Sequence, residues 1–592
     1  MSEPARLEKP VQIGPARSRH AASPRRRFGA GHWSRIAVIA LALLLWAPRF
    51  SGPIDLRWDA GVYYLLGTSV AKGEGYRIAS EPGSPEAVQY PPVLPALVAI
   101  YQRTLGTTEP EIVAPWLRRT YAVLFVVYGL STLALARTYV RPGLALAATA
   151  LCLLHAWTIF LSDLLFAEIP FALVGVAFAL VAGSKGSTTR LRETGAFVFA
   201  TIGFLLRTAG VVLLAAWVIE ALGRRRLRLA FMRGLLALLP VMLWQGYVTR
   251  VRASEAYLRP AYDYQRAPYQ NYNVAYVENI LQVDPFRPEL GRTDGGALAA
   301  RFVTNLARLP IALGEAVSAP KHSWQSALES SNRLLRRHVL PLAVIWLAIL
   351  GFGILVVAGF VVFIRRREWI MVSIPLLSVA LVCLTPWPEE FNRYLTPIAP
   401  FLTIAAILAL ERLDVGLRAR GSRWPALLGP LTSTGLVVLL LGVQTFAAVR
   451  LFRDRDRDGA SFLPDRGASG PHFFYHGRSW LAWEQAAAWI GERANASAIV
   501  ATSAPHQLYL QTGLRAVYPP MDSDPEQAHR LLETLPASYV IVDELPHRDF
   551  VRRYALPAVE SHPASWHLVH TVDGTRIFAH ALVGDSSQFT KK

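Results

Sequence analysis

The chain has 592 residues, of which 53% are hydrophobic and only 17% are charged. Soluble domains usually carry about a quarter charged residues, so a large part of this chain avoids water. The formal net charge of +19 would suggest nucleic-acid binding, but the basic residues form short clusters beside apolar runs, as at Arg224–Arg228 and Arg365–Arg367. That distribution follows the positive-inside rule for cytoplasmic loops and argues against nucleic acid as a partner.

Apolar runs between residues 34 and 450 predict about eleven membrane spans, because each approaches the ~20 residues that a helix needs to cross a bilayer. The basic tail, residues 1–33, is predicted to stay in the cytoplasm. No small-residue cleavage site follows the first run, so we interpret that run as a retained span. The predicted spans are residues 34–49, 115–137, 143–160, 169–183, two short spans within 194–222, 231–249, 339–364, 369–386, 394–411 and 427–449.

The pair of short spans within 194–222 is preferred to one long helix. A single helix would leave the cluster Arg224–Arg228 on the outer face, whereas a break near Arg207 keeps that cluster inside. With this choice the outer loops are residues 50–113 and 250–338. The first loop contains two stretches, 59–71 and 92–105, that are too short to cross easily and are predicted to lie at the interface.

Residues 451–592 change in character and are predicted to form a small α/β domain outside the cytoplasm. A charged linker that begins at Asp454 is predicted to be solvated. Short helical and strand patterns then alternate, and a closing hairpin is predicted to turn at Asp573-Gly574. The predicted fold class is therefore a polytopic α-helical protein of the cytoplasmic membrane with a small extracytoplasmic α/β domain at its C-terminus.

Ionisable residues at membrane depth are the candidate site residues. Placing a charge there is energetically costly, so such a residue indicates a functional site by default. In the predicted topology they converge on the outer side. They are Asp55 and Asp59 after the first span, Asp163 and Glu168 between the third and fourth, Arg207 at the break, and Glu389, Glu390 and Arg393 between the ninth and tenth.

Three outer segments carry motifs in a recognisable order. Asp59 and Tyr63 are followed by Gly73-Glu-Gly-Tyr and by Tyr90-Pro-Pro-Val-Leu-Pro; Ser162–Pro170 sets an acid before a proline; and Asn392-Arg-Tyr-Leu-Thr-Pro comes last. Over about residues 34–450 this pattern resembles the outer loops of GT-C-fold glycosyltransferases, most closely the branch of protein O-mannosyltransferases and lipid A aminoarabinose transferases. One departure is Ala60, since many relatives have a second acid there, and this weakens the case for metal binding.

The resemblance implies inverting transfer of a hexose or pentose from a polyprenyl-phosphate donor to a lipid, glycan or protein acceptor on the outer side of the membrane. Phosphate is already a good leaving group, so the site needs a base for the acceptor hydroxyl and cations for the phosphate. Asp59 is the expected base, with Glu168 orienting the acceptor or the partners of Asp59. The expected substrate-binding residues are Arg207 and Arg393 at the phosphate, together with Tyr63, Tyr90, Asp163 and Tyr394.

No cofactor is certain: no His/Cys cluster has the spacing of a metal site, and a divalent cation stays open. Each candidate also has a structural alternative. Asp59 and Glu168 would then cap helices, and Arg207 would extend its side chain to the membrane interface. Arg393 would form a structural ion pair with Glu389 or Glu390.

At the level of the protein, the alternatives are a transporter or lipid flippase, an O-antigen polymerase or ligase, and a non-catalytic GT-C-like scaffold. The sequence shows no convincing internal repeat of the kind that transporters carry. A polymerase or ligase would rely on arginines in large outer loops.

Overall fold

The membrane part of the molecule is a bundle of helices of unequal length. The computed structural model describes residues 28–183, 189–335, 342–419, 423–461, 473–546 and 549–584. Up to residue 252 the helices are α1 (Phe28–Trp46), α2 (Asp59–Lys72), α3 (Val93–Leu105), α4 (Pro110–Arg137), α5 (Pro142–Leu154), α6 (Ala156–Asp163), α7 (Glu168–Ala182), α8 (Arg190–Leu206), α9 (Val211–Gly223) and α10 (Leu227–Arg252). Between 253 and 461 they are α11 (Glu255–Leu258), α12 (Tyr276–Ile280), α13 (Gly295–Val317), α14 (Lys321–Leu335), α15 (Leu342–Arg365), α16 (Trp369–Cys383), α17 (Phe391–Leu395), α18 (Ala399–Ala419) and α19 (Arg423–Ser461).

Among the described residues, five helices are long and apolar enough to cross a membrane. The pair α5 and α6, bent by 54° at His155, would make a sixth. Four shorter apolar helices accompany them: Val93–Leu105, Glu168–Ala182, Thr208–Gly223 and Trp369–Cys383. The predicted count of about eleven spans stays a prediction, because the short helices are below the length that crosses a bilayer unaided.

The predicted break near Arg207 is confirmed. Helix α8 ends at Leu206 and α9 begins at Val211, with Arg207 in an extended conformation between them (φ −148°, ψ 137°). A glycine at 210 is required here, since a Cβ on Gly210 would lie 2.2 Å from the carbonyl oxygen of Gly203. From this break the Arg207 side chain reaches Glu168, at 2.8 Å from Nη1 to Oε1.

Two polar segments of the chain contain helices. The predicted outer loop 250–338 includes the long helices α13 and α14, and α13 packs on α15, α16 and α18. The charged stretch from Asp454 continues α19 to Ser461 and is therefore helical. Its prediction as a solvated linker is wrong at Arg455, which is buried and donates from Nη1 to the carbonyl of Pro48 at 2.9 Å, whereas Asp454 is exposed.

The C-terminal domain is a five-stranded sheet covered by helices. Its elements are α20 (Arg478–Arg493), β1 (Ile499–Ala501), α21 (Pro505–Thr512), β2 (Arg515–Val517), α22 (Pro525–Thr534), β3 (Ala537–Val542), α23 (Leu556–Glu560), β4 (Trp566–Val572), β5 (Thr575–His580) and α24 (Ala581–Gly584). The strand order is β2-β1-β3-β5-β4, with β1 parallel to both β2 and β3, and with β5 antiparallel to β3 and β4. The predicted β4–β5 hairpin turns at Asp573 and Gly574, both with positive φ, as tight hairpins require.

Candidate active site

A single backbone bridge aligns the two outer segments that carry the predicted carboxylates. Asp55 pairs in parallel with Leu164: the Asp55 amide donates to the Asp163 carbonyl at 3.0 Å, and the Leu165 amide donates to the Asp55 carbonyl at 3.1 Å. Asp59 then opens α2 four residues after the bridge, and Glu168 opens α7 four residues after it. The two carboxylates are therefore presented from equivalent positions on neighbouring segments.

Four charged side chains from distant parts of the chain meet at this point. Arg393 Nη2 lies 2.6 Å from Asp59 Oδ2, and Arg393 Nε lies 2.8 Å from Glu168 Oε1. Arg207 Nη1 reaches the same Glu168 oxygen at 2.8 Å. The set is balanced, with two carboxylates and two guanidiniums, so each charge is compensated at close range.

The four groups differ in exposure in a way that suggests their roles. The Glu168 side chain is only 2% exposed, whereas those of Asp59, Arg207 and Arg393 are 21%, 20% and 19% exposed. Glu168 is thus the buried anchor of both arginines. Asp59 and the two arginines each keep about a fifth of the side-chain surface exposed.

The capping alternative does not hold for the two carboxylates. Asp59 and Glu168 are the first residues of their helices, and the N-caps are Trp58 and Ala167, neither with a side-chain capping bond. The alternative for Arg393 is present in part, since Glu390 pairs with it at 3.8 Å, but Asp59 and Glu168 lie closer to the guanidinium.

Aromatic side chains form the wall beside the carboxylates. The Tyr90 hydroxyl donates to Asp59 Oδ1 at 3.2 Å, and its ring meets Tyr63 edge-on at 5.0 Å between centroids. Tyr272, from the second outer loop, stacks on the other side of Tyr90 at 6.1 Å. Burial raises the pKa of both Tyr63 and Tyr90, so each stays a neutral hydrogen-bond donor.

The arginines have aromatic neighbours as well. The Arg393 guanidinium carbon lies 4.5 Å from the centre of the Phe166 ring, and that of Arg207 lies 6.0 Å from the Tyr394 ring. The sequence did not single out Phe166. Its ring packs against the Arg393 guanidinium, which pairs through Nε with Glu168 and through Nη2 with Asp59.

Asp163 is not part of this cluster, contrary to its predicted place among the substrate contacts. Its side chain is 2% exposed and pairs with Arg118 at 3.0 Å, and Arg49 Nη1 lies 3.9 Å away. Arg118 also donates to the carbonyls of Arg49 and Ser51 at 3.0 and 2.9 Å. Asp163 therefore ties the segment after α1 to α4 through Arg118.

The donor set has little in common with a metal site. Among the described residues, no group of three or more His, Cys, Asp or Glu side chains is placed to hold an ion. A divalent cation bridging Asp59 and Glu168 would have to displace Arg393, which already bridges them. What the residues offer is two guanidiniums held by one buried carboxylate, Glu168, and a second carboxylate, Asp59, that is partly exposed.

Comparison with known proteins relates this architecture to a class of membrane enzymes. The sequence matches no protein-family model and no curated protein. Its fold is similar to the oligosaccharyltransferase of Archaeoglobus fulgidus in complex with Zn and sulfate (TM-score 0.50, 13% identity, 92% of this chain and 73% of that one). It is equally similar to ArnT, the aminoarabinose transferase of Cupriavidus metallidurans, bound to undecaprenyl phosphate (TM-score 0.50, 12% identity, 94% of this chain and 99% of that one).

The chain has the GT-C fold. The resemblance seen in the sequence motifs is thereby confirmed at the level of the fold. In this GT-C protein the elements that carry Asp59, Glu168, Arg207 and Arg393 are separated by up to 334 residues in sequence.

Proposed function

We propose that the protein is a membrane glycosyltransferase that moves a sugar from a polyprenyl-phosphate donor to an acceptor on the outer side of the cytoplasmic membrane. The observation that carries this proposal is the cluster of Asp59, Glu168, Arg207 and Arg393 on a GT-C fold. The donor class is supported by ArnT, whose structure holds undecaprenyl phosphate. A separate acceptor is supported by the archaeal oligosaccharyltransferase, which has been crystallised tethered to an acceptor peptide (TM-score 0.50, 13% identity, 86% of this chain and 69% of that one).

The chemistry follows from the charges. The acceptor hydroxyl gives its proton to Asp59 while its oxygen attacks the anomeric carbon of the sugar. The bond from that carbon to the phosphate oxygen breaks, and the phosphate leaves with the electron pair. Arg207 and Arg393 hold the growing negative charge, because a guanidinium forks onto phosphate oxygens and stays charged. One displacement of this kind inverts the anomeric configuration.

Glu168 has a different role in this scheme. It is too deeply buried to meet the acceptor, and it contacts both arginines through one oxygen. It therefore keeps the two guanidiniums side by side before the donor arrives, so little ordering remains when the phosphate binds.

The acceptor is proposed to approach through a cavity of about 380 Å³. Its lining includes Pro386, Pro388 and Glu389 of the turn that leads into the helix of Arg393, and Phe550 and Arg553 of the C-terminal domain. Trp387 in that turn contacts the Tyr276 ring at 6.3 Å. A mixed lining of aromatic, acidic and basic groups is suited to a polar acceptor.

The topology is part of the same proposal. With about eleven spans, residues 34–450 form the transmembrane domain and residues 451–592 lie outside. Support comes from the C-terminal domain itself, which contacts the outer loops: Tyr554 donates to Glu289 at 2.6 Å, and Ala516 donates to the carbonyl of Ser80 at 2.9 Å. A reporter fused at Lys592 should be active only outside the cytoplasm. Activity confined to the cytoplasm would contradict the predicted topology.

The decisive test of function compares the wild-type chain and Asp59→Asn, each expressed in a strain from which the gene is deleted. Lipid and glycan profiling of the deletion strain alone should identify the missing product, and the wild-type chain should restore it. Asp59→Asn should abolish the product while membrane insertion and folding stay near normal. The matched control is Glu390→Gln, which removes a carboxylate 3.8 Å from the same arginine and should leave the product in place. Near-normal product from Asp59→Asn would show that another group is the base.

A further inference from the structure

A buried arginine joins the C-terminal domain to the loop that carries Asp59. Arg57 Nη2 donates to the carbonyl of Phe474 at 2.6 Å, and its Nη1 donates to the carbonyl of Tyr475 at 3.2 Å. The other edge of the guanidinium binds Asp55, with contacts of 2.7 to 3.1 Å. The residue is 1% exposed, so these bonds are shielded from water and link segments more than 400 residues apart.

The residue between Arg57 and Asp59 has a strained backbone. Trp58 adopts φ 57° and ψ −132°, a region that L-amino acids avoid because of steric strain. Its ring packs edge-on against Trp480 of the C-terminal domain, at 5.7 Å, and against Phe160, at 6.0 Å. The packing thus holds a conformation that the chain would not choose alone, and that conformation sets the direction in which α2 begins.

A third contact lies one turn further along α2. A Cβ placed on Gly61 would be 3.2 Å from the Cβ of His506, at the start of α21. The C-terminal domain therefore touches α2 on the face next to its first turn.

We propose that the C-terminal domain acts as a clamp on the first turn of α2, and that Arg57 and Trp58 are positioning residues for Asp59. The clamp fixes the distance from the Asp59 carboxylate to Arg393 and to the incoming acceptor. Its catalytic consequence rests on the proposed function, whereas the clamp itself is a physical coupling that is measurable without substrate.

The test uses the full-length protein in detergent and two variants that weaken the clamp in different ways. Arg57→Lys keeps the charge beside Asp55 but cannot bond both carbonyls in a fork. Trp58→Gly accepts the positive φ without strain but removes the packing on Trp480. The matched control is Tyr554→Phe, which cuts a different bond between the same domain and an outer loop, 2.6 Å long and remote in sequence from Asp59.

Hydrogen–deuterium exchange of the peptide covering residues 55–64 is the first readout. Both variants should exchange at least about tenfold faster there, since local opening becomes easier when charged hydrogen bonds or buried contacts are lost. The control should match the wild type. The second readout is product formation in the deletion strain, expected to fall by about ten- to a hundredfold in both variants. Binding of undecaprenyl phosphate, measured by native mass spectrometry, should stay within about twofold, because the arginines of the site are untouched.

The two proposals fail in different ways. Unchanged exchange at 55–64 in folded Arg57→Lys or Trp58→Gly protein would overturn the clamp. Faster exchange with full product formation would overturn the positioning of Asp59. If the variants exchange faster at 55–64 but the wild-type protein itself yields no sugar-transfer product, the clamp is supported and the proposed function is rejected.

Discussion

The pairing of Arg393 with Asp59 is measurable as a coupling free energy, independent of any substrate. Replacing one partner of a well-buried ion pair costs about 3–5 kcal/mol. Arg393→Gln should cost less, about 1–3 kcal/mol, for two structural reasons. Glu168 keeps Arg207 at 2.8 Å, and the Asp59 side chain is 21% exposed, so water can solvate the carboxylate that is left behind.

Removing both charges should be milder than the sum of the single changes. In the double variant Arg393→Gln, Asp59→Asn, no uncompensated carboxylate remains at position 59. We therefore expect a coupling free energy of about 1–2 kcal/mol between the two residues. Reversible unfolding in mixed micelles, followed by tryptophan fluorescence, gives the free energies of the four proteins in the cycle.

A second cycle, Arg393→Gln with Glu390→Gln, is the control. That pair is 3.8 Å apart and the Glu390 side chain is 38% exposed, so its coupling should be about 0.5 kcal/mol or less. A coupling for Asp59 that is no larger than the one for Glu390 would refute the proposed cluster, whatever the outcome of activity assays.

Three other changes separate catalytic from structural roles. Tyr90→Phe removes the hydroxyl 3.2 Å from Asp59 but keeps the ring, so product formation should fall about three- to thirtyfold with unchanged thermal stability. Asp163→Asn leaves Arg118 with no carboxylate and should lower stability by about 3–5 kcal/mol, visible as lost expression and an earlier melting transition. Glu81, in the first predicted outer loop, is buried and accepts hydrogen bonds from Tyr262, Gln265 and Asn273. Burial raises the pKa of its carboxyl group, so stability should decline as pH rises from about 4.3 through the folded-state pKa, and Glu81→Gln should flatten that decline in thermal melts.

The sequence predicted features that local patterns determine. The helix break at Arg207 followed from where the arginine cluster after it has to lie, and the hairpin followed from Asp573-Gly574 between two alternating runs. The candidate residues Asp59, Glu168, Arg207 and Arg393 were found because a charge near membrane depth needs a reason to be there. That argument depends on composition and order, both of which are visible in one sequence.

The same argument could not separate Asp163 from Glu168. Both are acids within six residues of one another, and both are nearly fully buried. Their difference arises from partners: Asp163 meets Arg118 from α4, and Glu168 meets arginines from two later segments. Which arginine pairs with which carboxylate depends on how the helices pack, and this packing cannot be predicted from the sequence positions of the two acids. Arg57 and Trp58 were missed for the same reason, since their partners lie in the C-terminal domain.

The departure at Ala60 fits the arrangement of charges around it. Ala60 is fully buried at the start of α2, directly beside Asp59. A second carboxylate there would add a buried negative charge to a set in which two guanidiniums already balance two acids. Such a charge would need a further cation, and under the proposed function it would repel the phosphate of the donor. With alanine at this position, two guanidiniums balance two carboxylates without a further group. The neutral residue at position 60 and the pairing of Arg207 and Arg393 with two carboxylates therefore belong to one balanced arrangement of charges.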